Sequence, residues 1–206
     1  TEDVLAVLVA IGRSAVGDWA RHAVATAISN IAYVNQESPL PVSDEVRDVL
    51  LAMGVASGDD GVRVAVAGAI NTIALSAEGR ASLTRDEVRD SLVAMGTACG
   101  SDAAREAVAS AVHNIARENP AGKLLMVREN VRAMLVAIGG ASASDSARQA
   151  VASAILIIAR VDEGSRLMAR DDVREVLLAM GAACGSDLAR HAVAGAIRNI
   201  ASVVDG

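Results

Sequence analysis

The chain has 206 residues, 52% of them hydrophobic, yet it holds one Trp, one Tyr and no Phe, and its formal net charge is −6. So apolar a composition excludes a disordered polymer, and the acidic balance offers no general excess of cations to displace counterions from nucleic acid. The core must be built from Ala, Val, Leu, Ile and Met, which fill narrow gaps between close helices, while the longest apolar runs, such as residues 150–159, are too short and broken to span a bilayer.

Along the chain one pattern returns five times. Leu5, Val7, Leu8 and Val9 open an apolar helix that stops near Gly17-Asp18, and residues 23–32 form a second. A linker with Pro39 and Pro41 follows, which predicts an irregular connection. The next copy starts at Val46, turns at Asp60 and repeats the second helix over residues 65–74. Residues 76–87, with Leu83, predict a short additional helix before the third copy at Val88, whose second helix covers residues 107–116. After Pro120, Gly122, Leu124 and Leu125 comes the fourth copy at Val131, with residues 150–159; Leu167 and Met168 then lead to the fifth at Val173, with residues 192–201. Copies start 42, 42, 43 and 42 residues apart. The one extra residue falls near Pro120 and Gly122, where a loop is expected to absorb it.

The last copy shows the logic within a unit. Val173, Leu177, Met180 and Cys184 lie 4, 3 and 4 residues apart on one helical face. Gly185-Ser186-Asp187 ends that helix and starts the next, which buries Ala192, Val193, Ala196, Ile197, Ile200 and Ala201. So short a turn folds the two helices back on each other. Asp18, Asp60, Asp102, Asp145 and Asp187 are expected N-caps. Arg21, Arg63, Arg105, Arg148 and Arg190 follow three residues later and are expected to pair with acids of the neighbouring unit. Arg47, Arg89, Arg132 and Arg174 form a second, structural series beside Asp44, Asp86, Glu129 and Asp171. Gly12, Gly54, Gly96, Gly139 and Gly181 recur inside a helix, where each costs about 1 kcal/mol; close helix approach is the expected compensation.

The period, the helical unit and the Asn-Ile-Ala ending at Asn30-Ile31-Ala32, Asn114-Ile115-Ala116 and Asn199-Ile200-Ala201 resemble the armadillo-repeat family, more closely than the neighbouring HEAT repeats. The resemblance covers residues 1–206 as one domain. It implies an all-α, right-handed superhelical solenoid of about five repeats. It also implies a concave groove, lined by the last helix of each unit, that takes a protein or extended peptide through its asparagines. Two units depart from the pattern, with Thr72 and Ile157 in the asparagine position. The family's Trp position holds Thr26, Gly68, Ser110, Ser153 and Gly195, so the aromatic half of the peptide clamp is missing and recognition of basic import signals is not implied.

Independently of the family, side chains along one stripe of these helices differ from copy to copy while the core repeats. To the asparagines that the resemblance implies, Asn30, Asn114 and Asn199, this stripe adds His22, Glu106, Gln149, His191, Asn71, His113, Arg198, Tyr33 and Arg117 as candidate groove residues. Such variation marks either a specific surface or drift on a solvated face. His22 and His191 lie at one position repeats apart, at about 10 Å per repeat, too far to share a metal. Cys99 and Cys184 are about 20 Å apart on the same ground, beyond the ~7 Å that a disulfide tolerates. No nucleophile–base set or phosphate loop occurs, so neither catalysis nor a cofactor is expected. No basic segment precedes an apolar one as in a secretory signal, and two cysteines fit a reducing compartment, cytosol or nucleus. Neither end carries the polar cap that a solenoid needs: either the chain is a fragment of a longer array or its end faces pair between molecules. Three functions remain: a non-catalytic binding scaffold, a structural or designed repeat module with no natural ligand, and an enzyme or nucleic-acid protein on helical repeats, for which no residue cluster speaks.

Overall fold

The computed structural model describes residues 2–34 and 43–201, and these are helical throughout apart from the turns between helices. In chain order the helices are α1 (Glu2–Ser14), α2 (Asp18–Val34), α3 (Asp44–Ala56), α4 (Asp60–Ile73), α5 (Ala77–Ser82), α6 (Asp86–Ala98), α7 (Asp102–Ala116), α8 (Pro120–Met126), α9 (Glu129–Ala141), α10 (Asp145–Ile158), α11 (Asp162–Met168), α12 (Asp171–Ala183) and α13 (Asp187–Ala201). The linker with Pro39 and Pro41 lies outside the described residues. All substantial packing is within a unit or between units adjacent in the chain: α2 on α4, α4 on α7, α7 on α10 and α10 on α13 form one row, and α1, α3, α6, α9 and α12 form the other.

Each long helix buries a stripe of small and branched side chains. Val24, Val66, Val108, Val151 and Val193 are equivalent and all buried, as are Ile28, Ile70, Val112 and Ile155. The recurring glycines set the distance between units. A Cβ on Gly96 would stand 2.6 Å from Met134 Sδ of the next unit, and one on Gly12 would stand 2.5 Å from Val49 Cγ1. Gly54 and Gly139 make the same close approach, to Met95 and to Val176 with Met180. Gly181 has only Val193 of its own unit nearby, at 3.3 Å.

The turns differ from expectation in an instructive way. The N-caps lie one residue before the recurrent aspartates: the side chains of Asp59, Ser101, Ser144 and Ser186 accept from the backbone N–H of Val62, Ala104, Ala147 and Ala189. The aspartates, at the first helical position, instead reach across to the next unit. Asp60 accepts from Gly100 N–H, Asp102 from Ala143 and Ser144 N–H, and Asp145 from Gly185 and Ser186 N–H. Asp18 accepts from the Ser57 hydroxyl. The arginines three residues on do not seek the neighbour's acids, as expected; each pairs with the aspartate of its own helix, at 3.0, 2.7, 2.8, 3.1 and 3.0 Å. The physical reason is reach: the i,i+3 spacing puts the guanidinium over its own carboxylate, and the carboxylate's second face is left for the amides beyond. In the second series Arg47 and Arg89 also pair locally, whereas Arg132 bridges Glu129 and Asp172 of the next unit.

The extra residue of the third unit is Glu118, whose φ of 52° makes it, among the described non-glycine residues, the one in the left-handed region. The loop expected at Pro120 and Gly122 is instead helix α8, which Pro120 starts at a position where its missing N–H costs nothing. Gly122 sits there because a Cβ would stand 2.2 Å from the Ile115 carbonyl.

Two sets of variants test these devices. Gly96→Ala should cost about 1–3 kcal/mol, because Met134 must leave its place, whereas Gly181→Ala, which meets only Val193 of its own unit at 3.3 Å, should cost less; chemical denaturation measures both. Asp102→Ala removes charge-assisted bonds to two amides and should cost about 1–2 kcal/mol, while Asp187→Ala, which lacks a neighbour, should leave stability unchanged. Burial alone would raise the Asp102 carboxyl, but the Ala143 N–H, Arg105 and Ser144 outweigh it and hold it below 3.8; Gly185 N–H acts likewise on Asp145. A lowered carboxyl stabilises the folded state above its unfolded value, so the difference in thermal stability between the wild type and Asp102→Ala should be constant above about pH 4 and shrink as the pH drops through the lower folded value.

Candidate binding face

The exposed side of the α2, α4, α7, α10 and α13 row carries the varied residues. At its centre a cleft of about 290 Å³ opens between α4, α7 and α10. It is lined by Asn71, Glu106, Ser110, His113, Asn114, Ser146, Gln149, Ala150 and Ser153. Five of the twelve sequence candidates therefore converge: Asn71, Glu106, His113, Asn114 and Gln149. The other seven do not reach the cleft. His22, Asn30 and Tyr33 lie on α2 at one end of the row, His191, Arg198 and Asn199 on α13 at the other, and Arg117 stands exposed just past α7.

Sequence reasoning missed Ser110, Ser146, Ala150 and Ser153 as lining residues. The signal was available for two of them: Ser110 and Ser153 occupy the position where the family carries a bulky ring, and their small size is what leaves room. Ser146 gave no such signal, being an ordinary second residue of a helix.

Polar side chains on this face tie successive units together. Asn114 Nδ2 donates to Asn71 Oδ1 at 2.7 Å, and the Ser29 and Thr72 hydroxyls are 3.1 Å apart. Asn199 Nδ2 donates to the Leu156 carbonyl at 3.4 Å. The departures of Thr72 and Ile157 from asparagine thus have local reasons. Thr72 faces a serine, Ser29, and is held by the Gly68 carbonyl at 2.9 Å. Ile157 is buried, and His113 turns to the Ser153 carbonyl at 3.1 Å instead.

A carbonyl accepts only, so His113 Nδ1 carries the proton and Nε2 of the neutral ring is an acceptor. Burial favours the neutral ring, with Arg117 and Arg160 adding to the effect against the Ser153 bond, so the imidazole titrates below its ordinary 6.5. The unfolded chain then binds a proton that the folded one refuses in that window. His113 therefore destabilises the fold as the pH falls below 6.5, until its own lower value is passed. An NMR titration should place its midpoint below 6.5; a midpoint at or above that value would contradict the burial described here.

The cysteines offer no chemistry to the face. Cys99 and Cys184 are free, and Cys99 donates to the Met95 carbonyl at 3.2 Å. Burial, with the charge of Asp60, pushes the Cys99 thiol up to about 11, so little thiolate exists at neutral pH. Among the described residues no group of three or more His, Cys, Asp or Glu is placed to hold a metal ion, and no helix is long and apolar enough to cross a membrane.

No protein-family model matches the sequence, and no curated protein matches it significantly. Solved structures do. The crystal structure of an engineered protein superposes with a TM-score of 0.83 at 21% identity, covering 98% of this chain and 86% of that one. A designed armadillo repeat protein superposes with a TM-score of 0.64 at 16% identity, covering 95% of this chain and 99% of that one. The fold is accordingly that of an all-α, armadillo-like superhelical solenoid.

Proposed function

We propose that this chain is a non-catalytic scaffold that binds a protein through an extended peptide segment laid across α4, α7 and α10. The observation that carries the reading is the central cleft. On a frame that otherwise repeats, five polar side chains of four kinds converge with three serines and Ala150 around one opening. Asn71 and Asn114 use one amide group each on the other; the remaining Asn71 Nδ2 and Asn114 Oδ1 form a donor and acceptor pair, the complement of a peptide unit. Glu106 and neutral His113 add one charge and one acceptor beside it. Serine in place of a ring means that ligand side chains enter the cleft rather than lie on an aromatic plate. The armadillo resemblance and the two reduced, half-buried or buried thiols agree with work in the cytosol or nucleus.

A second reading has its own support. Both superposed structures are engineered or designed proteins, and near-identical units are what design by repetition produces. On that reading the chain is a structural module and the cleft is empty by nature.

Selection of displayed random peptides on the purified chain separates the two. The scaffold reading expects an enriched set whose affinity falls at least about tenfold in a Glu106→Ala, Gln149→Ala variant of unchanged melting temperature. Arg198→Ala, off the cleft, should have no effect. Failure to enrich any peptide, or equal affinity for the variant, would leave the structural module.

A further inference from the structure

Each end of the row carries one half of the junction that joins units inside the chain. Inside the chain, every unit docks on the one before through the same few positions. Val49 and Met53 close on Gly12, Met95 on Gly54, Met134 on Gly96, and Val176 with Met180 on Gly139. All of these side chains are buried. In the first unit the equivalent residues are Val7 and Ile11, which are 57% and 44% exposed. In the last unit the equivalent slot is Gly181, where among the described residues a Cβ would meet only Val193 of its own unit, at 3.3 Å.

The polar partners are left over in the same register. Asp60, Asp102 and Asp145 have side chains 25%, 23% and 31% exposed, each bonded to amides of the next unit, while that of Asp187 is 98% exposed. Its missing partners are the amides equivalent to Gly185 and Ser186, which in the first unit belong to Val16 and Gly17. Position 61 of the second unit abuts His22 of the first, since a Cβ on Gly61 would stand 3.9 Å from the His22 ring. Trp19, at that position in the first unit, is 85% exposed, and the residue it would meet is His191.

We infer that the face of α12 and α13 binds the face of α1 and α2 of a second copy of this chain, head to tail, as a continuation of the internal stack. Val7 and Ile11 of one copy close on Gly181 of the other. Asp187 takes the Val16 and Gly17 amides, Arg198 meets Asn30 as donor to acceptor, and Trp19 packs on His191. The contact is heterologous, so each added copy presents the same free face again and the assembly grows in steps of one chain. Nothing here depends on the cleft.

Sedimentation or light scattering over a concentration series up to about 1 mM, the weak limit of specific pairing, should show mass rising in steps of 20.9 kDa, with a blue shift of the sole tryptophan. Ile11→Lys should remove one face and Gly181→Leu the other; Ile11 is exposed, and a side chain on Gly181 meets only Val193 of its own unit, at 3.3 Å. Each variant alone should stay monomeric with unchanged helicity. Mixed one to one, they should form a dimer and nothing larger, because each retains the face the other has lost. A wild type that stays monomeric, a single-face variant that still self-associates, or a mixture that does not pair would each overturn the inference.

Discussion

No helix pair in this chain can cover its own apolar face. Ile70, Val112 and Ile155 are fully buried with a further unit against them, whereas the equivalent Ile197 of the last unit is 37% exposed, and the next unit comes close enough only where a glycine removes a Cβ. The glycine costs helix stability inside each unit, and the side chain it admits from the next unit returns dispersion contacts and removes apolar surface from water. The energy of the fold therefore resides at junctions rather than in units. The aspartate at each turn belongs to the same constraint: its bond to the amides beyond has meaning only when a further unit is in place, as exposed Asp187 illustrates.

The fold was legible because its cause is periodic. A 42-residue spacing, an apolar face and a repeated small residue are properties of the sequence, and each predicts a neighbour of the same kind. Atomic roles were less legible. Asp60 and its equivalents look like N-caps because residue type and place nearly agree; only the geometry shows that Asp59 or serine does the capping and the aspartate looks outward. The arginine pairs were assigned to the wrong unit for the same reason, since sequence spacing cannot tell a bond within a helix from one across a junction. Glu118 was hidden more completely. An insertion is visible only to within a few residues, and a left-handed glutamate leaves no compositional trace.

The candidate site was half legible. Variation along one stripe selected nine residues and the armadillo resemblance three more; the central five of the twelve share a cleft. The remainder share the stripe but lie at its two ends, because a row of parallel helices is longer than any single opening in it. What the sequence could not convey is that several of these polar groups are already occupied with each other, Asn71 with Asn114 and His113 with a carbonyl. A ligand meets what remains of their bonding capacity, not the full inventory of the residue types.

Those cross-links have a bearing on how the chain finds its order. Interchangeable junctions invite error, since an apolar face will accept any copy of its complement. The rungs are not interchangeable: hydroxyl meets hydroxyl at Ser29 and Thr72, amide meets amide at Asn71 and Asn114, and an asparagine meets a backbone carbonyl at Leu156. Were the fourth unit to settle on the second, Asn71 would be set against Ile157 and lose its mate in a place that water reaches poorly. The polar face thus works as a set of labels that discriminates the correct sequence of docking from a shuffled one, at the expense of affinity that a uniform greasy seam would have had.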